Sequence, residues 1–131
     1  LPRMKNDLVD LFEACIDGTL DQINLEFEDN AAVCVVLASN GYPEHYEKGF
    51  EIRGLENFKD KDGYYVFHAG SKFDEQGRVV TNGGRVLCVT ALGHTVAEAQ
   101  KRAYALMTDI HWDDCFCRKD IGWRAIEREQ N

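Results

Sequence analysis

Two short stretches of this chain carry the residue types that bind anions. His68-Ala69-Gly70-Ser71-Lys72 and Thr81-Asn82-Gly83-Gly84-Arg85 each set glycine close to a cation. Glycine lets backbone N–H groups converge on a negative charge without a Cβ in the way. Lys72 offers a point charge. Arg85 offers a planar fork that grips a phosphate through two parallel hydrogen bonds. The chemistry predicted is recognition of a phosphate group, with His68, Gly70, Lys72, Thr81, Asn82, Gly83, Gly84 and Arg85 as the candidate binding residues. The plainer reading is two hairpin turns with solvent-facing cations, and spacing alone leaves both readings open. His68 suits a proton carrier by residue type, but a half-buried histidine at a strand end is the preferred reading.

Other chemistry finds little support. His111, Cys115 and Cys117 give only three metal ligands, at a spacing unlike the common zinc patterns, so no metal site is expected there. The sequence has no phosphate-binding Walker loop, nucleophile elbow, H-E-x-x-H or dinucleotide fingerprint. Its many acidic residues are scattered as on a solvated surface. No catalytic residue is assigned. His45 and His94 read as surface residues in loops, and Trp112 and Trp123 as packing anchors.

These residues must be held by a domain of modest size. A chain of 131 residues suits one domain, burying roughly two thirds of its unfolded surface. The net charge of −8 argues against general binding to nucleic acid or to an anionic membrane, while leaving room for a local basic pocket. No apolar run approaches the roughly 20 residues that span a bilayer. Leu1 to Lys5 lacks the apolar core of a signal peptide, and the absence of Met at position 1 suggests that something precedes it. The five cysteines are Cys15, Cys34, Cys88, Cys115 and Cys117. An odd count, with two inside apolar strand-like runs, fits reduced cytoplasmic thiols better than a disulfide framework.

Periodicity supplies the elements. Met4, Leu8, Leu11, Phe12, Cys15 and Ile16 mark one helical face, stopped by Asp17-Gly18. Thr19 to Asn30 is a polar connector. Ala31 to Ala38 is continuously apolar and β-branched, and so predicts a buried central strand. Asn40 to Gly49 is a loop with anchoring tyrosines, and Phe50 to Arg53 a short strand. Leu55 to Gly63 is mostly polar and ends on an Asp-Gly turn. Tyr64 to His68 is a strand. Lys72-Phe73 and Arg78 to Thr81 flank Asp74-Glu75-Gln76-Gly77 as a hairpin, and Arg85 to Leu92 is a long strand. Thr95 and Glu98 form a capping box before a helix running to about His111, and a weaker helix start stands at Asp120. The fold class expected is α+β, a mostly antiparallel sheet packed by helices.

At the glycine loops the sequence becomes familiar. It carries Leu1-Pro2-Arg3-Met4-Lys5 with Asp7-Leu8, then Val35 to Ser39 (VVLAS) with Gly41-Tyr42-Pro43, Tyr46 and Lys48-Gly49. It continues with Phe67 to Lys72 (FHAGSK), Val79 to Gly93 (VVTNGGRVLCVTALG) and Arg118 to Gly122 (RKDIG). These blocks, in this order and over nearly the whole chain, resemble the C-terminal region of the phosphoribosylamine–glycine ligases (glycinamide ribonucleotide synthetases) of the bacterial single-function type. Asn40 stands where the family commonly has Gly, and Ser71 where it commonly has Thr. Cys115 and Cys117 lie outside the family's pattern.

The resemblance implies a full-length ATP-grasp ligase of purine (IMP) biosynthesis, cytoplasmic, that joins glycine to 5-phosphoribosylamine through glycyl phosphate. It implies ATP and Mg2+ or Mn2+ as cofactors of the full-length protein, with none bound by this chain alone. The family's metal-binding Glu and Asn precede the position of Leu1, so this chain by itself is expected to be inactive. Residues 1–30 are expected to leave the ATP-grasp lobe, and 31–131 to form a C-terminal domain that closes on the N-terminal domain around the substrates. The implied partners are those other domains and the two small substrates, with no nucleic acid and no membrane. The alternative is an independent sugar-phosphate-binding or protein-interaction module that keeps the fold.

Overall fold

The computed structural model describes residues 1–59 and 61–131. Helix α1 spans Leu8–Asp17. It starts later than the apolar periodicity suggested, because the Asp7 carboxylate accepts the Val9 N–H at 2.8 Å and caps the helix there. Met4 instead bridges Phe27 as extended backbone. Gly18, at φ 70°, closes the helix in the left-handed region. The connector that follows contains one short 3-10 turn, Leu20–Gln22.

The centre of the molecule is an antiparallel sheet. Its strands are β1 (Ala31–Ser39), β2 (Tyr64–His68), β5 (Arg85–Gly93) and the short β6 (Cys115–Phe116), in the order β2-β5-β1-β6. A separate hairpin pairs β3 (Ser71–Phe73) with β4 (Val79–Thr81). Its tip is tied by Asp74, whose Oδ1 accepts the Gln76 and Arg78 N–H groups while Oδ2 accepts Arg78 Nε at 2.8 Å. Those bonds, led by the Arg78 N–H, hold the Asp74 carboxyl below the usual carboxylate range.

Helix α2, Val96–Met107, lies across β5 and β1. Val33, Val35 and Leu37 of β1, Leu87, Val89 and Ala91 of β5, and Ala99, Ala103 and Leu106 of α2 form one buried core. The Thr95 hydroxyl accepts the Glu98 N–H at 3.1 Å, as the capping box predicts. The Glu98 carboxylate reaches back to the His94 N–H. Helix α3, Trp123–Gln130, packs beside α2. Its Glu129 carboxylate accepts the Val96 and Ala97 N–H groups, at 2.8 and 3.4 Å, two of the donors that a helix start leaves without partners.

Five expectations need correction. First, β1 is central but buried on one face only: Ala32, Cys34 and Val36 are exposed between buried neighbours, because α2 covers a single side of the sheet. Second, Cys34 and Cys88 are joined by a disulfide rather than free. Cys34 faces Thr90 and Val36 faces Cys88 across the ladder, so the two cysteines are diagonal neighbours on the open face, with Cα atoms 6.3 Å apart. Third, Phe50 to Arg53 is no strand, since its bridges go to two different partners, Glu51 to Val80 and Arg53 to His111. Fourth, α2 stops at Met107, where the Thr108 hydroxyl takes the Ala105 carbonyl at 2.7 Å, although Ile110 stays in the core. Fifth, Trp112 is a core residue but Trp123 is 45% exposed, with the Arg124 guanidinium over its ring.

Candidate functional site

The two glycine loops meet at one end of the sheet. Gly70 ends the turn after β2, and its carbonyl accepts the Asn82 N–H at 2.7 Å. Its own N–H, with that of Ala69, bonds to the Val86 carbonyl. Gly70 and Gly83 touch backbone to backbone: a Cβ on Gly70 would stand 2.9 Å from Gly83 Cα and 2.5 Å from the Arg85 carbonyl oxygen. Glycine at 70 is therefore required by close approach, since neither neighbour is a side chain that can swing away.

Thr81 is fully buried. Its N–H donates to Phe50 O, its hydroxyl accepts the Phe50 N–H at 3.1 Å, and its carbonyl accepts the Gly49 N–H. It pins the loop to the returning chain instead of facing outward. Asn82 is exposed. Gly84 lies under the ring of Tyr42, which a Cβ at 84 would overlap. The end of β1 grips the same turn, with Ser39 Oγ donating to the Gly83 carbonyl at 2.9 Å and Ser39 N to the Gly84 carbonyl at 2.7 Å.

Arg85 is exposed and borders an open cleft of about 430 Å³ on the uncovered face of the sheet, lined by Val36, Tyr42, Ala69, Gly84 and Cys88 among others. A second hollow of about 250 Å³ adjoins it and shares Val36, Tyr42 and Arg85 with the first. Among the described residues, Arg85 and Lys72 have no acidic partner within salt-bridge distance, and the Gly83 and Gly84 N–H groups meet no acceptor. An unpaired cation such as Arg85 beside unpaired N–H groups can receive an anion.

The structure thus brings Gly70, Asn82, Gly83, Gly84 and Arg85 together in one packed turn, of which Gly84 and Arg85 line the cleft. His68 and Lys72 stand apart from the lining of this cleft. His68 is opposite Leu87, a core residue, and so leaves β2 on the other face from Phe67. Its Nδ1 lies 2.7 Å from Ser71 Oγ, and the residue is exposed rather than half-buried as expected. Lys72 is exposed on β3. Reading the loops one at a time misses Ser39 and Tyr42, whose contribution depends on the packing of β1 against the second loop. The aromatic anchors within Asn40 to Gly49 were the one visible signal.

Among the described residues, no three His, Cys, Asp or Glu side chains are grouped to hold a metal ion, and no helix is long and apolar enough to cross a membrane. His111 is engaged through its backbone with Arg53. Burial pushes the Cys115 thiol up to about 11, with the charges of Cys117 and Asp114 adding to the effect.

Comparison with known proteins settles the family. Residues 32–124 match the family described as phosphoribosylglycinamide synthetase, C domain. The chain belongs to this family. It is 64% identical over 129 residues to a phosphoribosylamine–glycine ligase of Escherichia coli (strain K12), covering 98% of this chain and 30% of that protein. A phosphoribosylamine–glycine ligase of Vibrio cholerae is 55% identical over 129 residues, covering 98% of this chain and 29% of its own length. The crystal structure of the phosphoribosylamine–glycine ligase of Thermotoga maritima superposes with a TM-score of 0.65 at 34% identity, covering 83% of this chain and 27% of that one. The chain therefore spans about 30% of the length of the synthetase relatives it matches and carries their C domain.

Proposed function

We propose that the protein carrying this domain joins glycine to 5-phosphoribosylamine, with ATP as the driving reactant, in de novo purine synthesis in the cytoplasm. The glycine carboxylate is phosphorylated by ATP to glycyl phosphate and ADP. The amine of phosphoribosylamine then attacks the acyl carbon, forming the C–N bond of glycinamide ribonucleotide and expelling phosphate. On this reading residues 31–131 close over the sugar-phosphate end of the substrate, and 1–30 lead out of an ATP-grasp lobe. ATP and Mg2+ or Mn2+ are assigned to the remainder of the longer protein, as the resemblance implies. The partners are those other domains and the small substrates, without nucleic acid or membrane.

The observation that carries the reading is Arg85, exposed and without an acidic partner among the described residues, beside the free N–H groups of the glycine turn in a synthetase C domain. Arg85 meets the phosphate, Gly83 and Gly84 present N–H donors, and Asn82, Thr81 and Gly70 hold the turn. His68 and Lys72 form the neighbouring rim. A guanidinium–phosphate contact contributes about 1.5–3 kcal/mol. At about 1.4 kcal/mol per decade, Arg85→Ala in the full-length enzyme should raise KM for phosphoribosylamine roughly tenfold to a hundredfold. KM for ATP should stay nearly constant. An unchanged phosphoribosylamine KM, with only a lowered melting temperature, would make Arg85 a brace of the sheet and remove it from the site.

A further inference from the structure

We propose that Ser39, at the end of β1, is the positioning residue of the anion-binding turn: it decides which way the Gly84 N–H points. The inference rests on the reading of the turn as the sugar-phosphate site. The Gly83–Gly84 peptide is trans, since the single cis bond among the described residues is Tyr42–Pro43. In a trans peptide the C=O and the following N–H point in opposite directions. Ser39 Oγ donates to the Gly83 carbonyl at 2.9 Å, drawing it toward β1. The Gly84 N–H is thereby turned away from β1, and among the described residues it meets no acceptor there.

The next peptide is held in the same way, because the Ser39 N–H donates to the Gly84 carbonyl at 2.7 Å. One residue therefore fixes two successive carbonyls of the turn. The Tyr42 ring packs on Gly84, so the turn is clamped between β1 and the loop that leaves it. Ser39 is fully buried and cannot itself touch a ligand. Its hydroxyl acts through Gly84, by sparing the ligand the work of ordering a glycine-rich turn.

The test uses the full-length enzyme. Ser39→Ala removes the hydroxyl and frees the Gly83 carbonyl. KM for phosphoribosylamine should rise about three- to tenfold, as for loss of a well-placed neutral hydrogen bond, while kcat and the KM values for ATP and glycine stay within about twofold. Ser39→Cys, which keeps a side chain of similar shape but only a weak donor, should move the same constant in the same direction, and serves if the alanine variant does not fold. A phosphoribosylamine KM within about twofold of the parent overturns the proposal. So does a rise in all three KM values together with a fall in melting temperature, which marks a merely structural serine. Arg85→Ala measured alongside separates the two claims. If Arg85→Ala has its effect and Ser39→Ala does not, the positioning role falls and the site stands. If neither moves the constant, the site itself falls.

Discussion

Cys115 sits half-buried where β6 pairs with the end of β1, and its thiol is pushed up to about 11, chiefly by burial. The thiolate is the reactive form, and an ordinary free cysteine titrates near 8.5. A raised value keeps Cys115 protonated through neutral and mildly alkaline pH. Alkylation mapped by mass spectrometry should therefore modify Cys115 at least about tenfold more slowly than a small model thiol at pH 8. Its rate should still be climbing between pH 9 and 11. Labelling as fast as the model thiol at pH 8 would show that the site is open to water. At this scale the sequence was informative where backbone chemistry alone decides, as with the close-packed glycines of the two loops. It was silent on the role of Ser39 and wrong on Cys34 and Cys88, read as reduced thiols, because both depend on which residues of β1 face which residues of the distant segment 83–90. Periodicity within one strand holds no information about that pairing.

Between helices, the tie from Glu129 of α3 to the start of α2 contributes to stability. An exposed carboxylate on free N–H groups at a helix start contributes typically about 1 kcal/mol, aided by the helix dipole. Glu129→Ala should lower the melting temperature of the domain by about 3–5 °C. Glu127→Ala, on the same helix without that contact, should change it by less than about 1 °C. Equal effects of the two would assign the loss to helix propensity. Strands β1, β2 and β5, the β3–β4 hairpin and the capped start of α2 were legible from composition, turn residues and caps. The two-residue β6 was not, because a strand that short has no periodicity to detect. The late start of α1 turned on a competing local bond, since Asp7 caps the helix inside a longer apolar pattern.

As a whole, the chain exposes many large apolar side chains, among them groups on α1 and on the open face of the sheet. Val9, Phe12 and Ile16 of α1 are exposed at 60%, 56% and 85%. Phe67 and Phe116 stand exposed on the uncovered face of the sheet. Exposed apolar surface of this kind marks a place where another surface can dock. The resemblance implies that the metal-binding residues lie outside these 131 residues, and phosphoryl transfer depends on positioned charge neutralisation. The purified 131-residue chain should form no glycinamide ribonucleotide from ATP, glycine and phosphoribosylamine. Detectable ATP- and glycine-dependent product, followed by chromatography, would overturn that expectation. The central pairing of β1 with β5 bears on the site in one more way. It joins Ala31–Ser39 to Arg85–Gly93, and the chain between those strands forms a closed loop that holds both glycine turns up to Gly84. Closing such a loop costs conformational entropy before any contact inside it is gained. The glycine turns therefore have no independent existence: their order is thermodynamically coupled to the longest ladder of the domain, and whatever melts that ladder dissolves the candidate site with it.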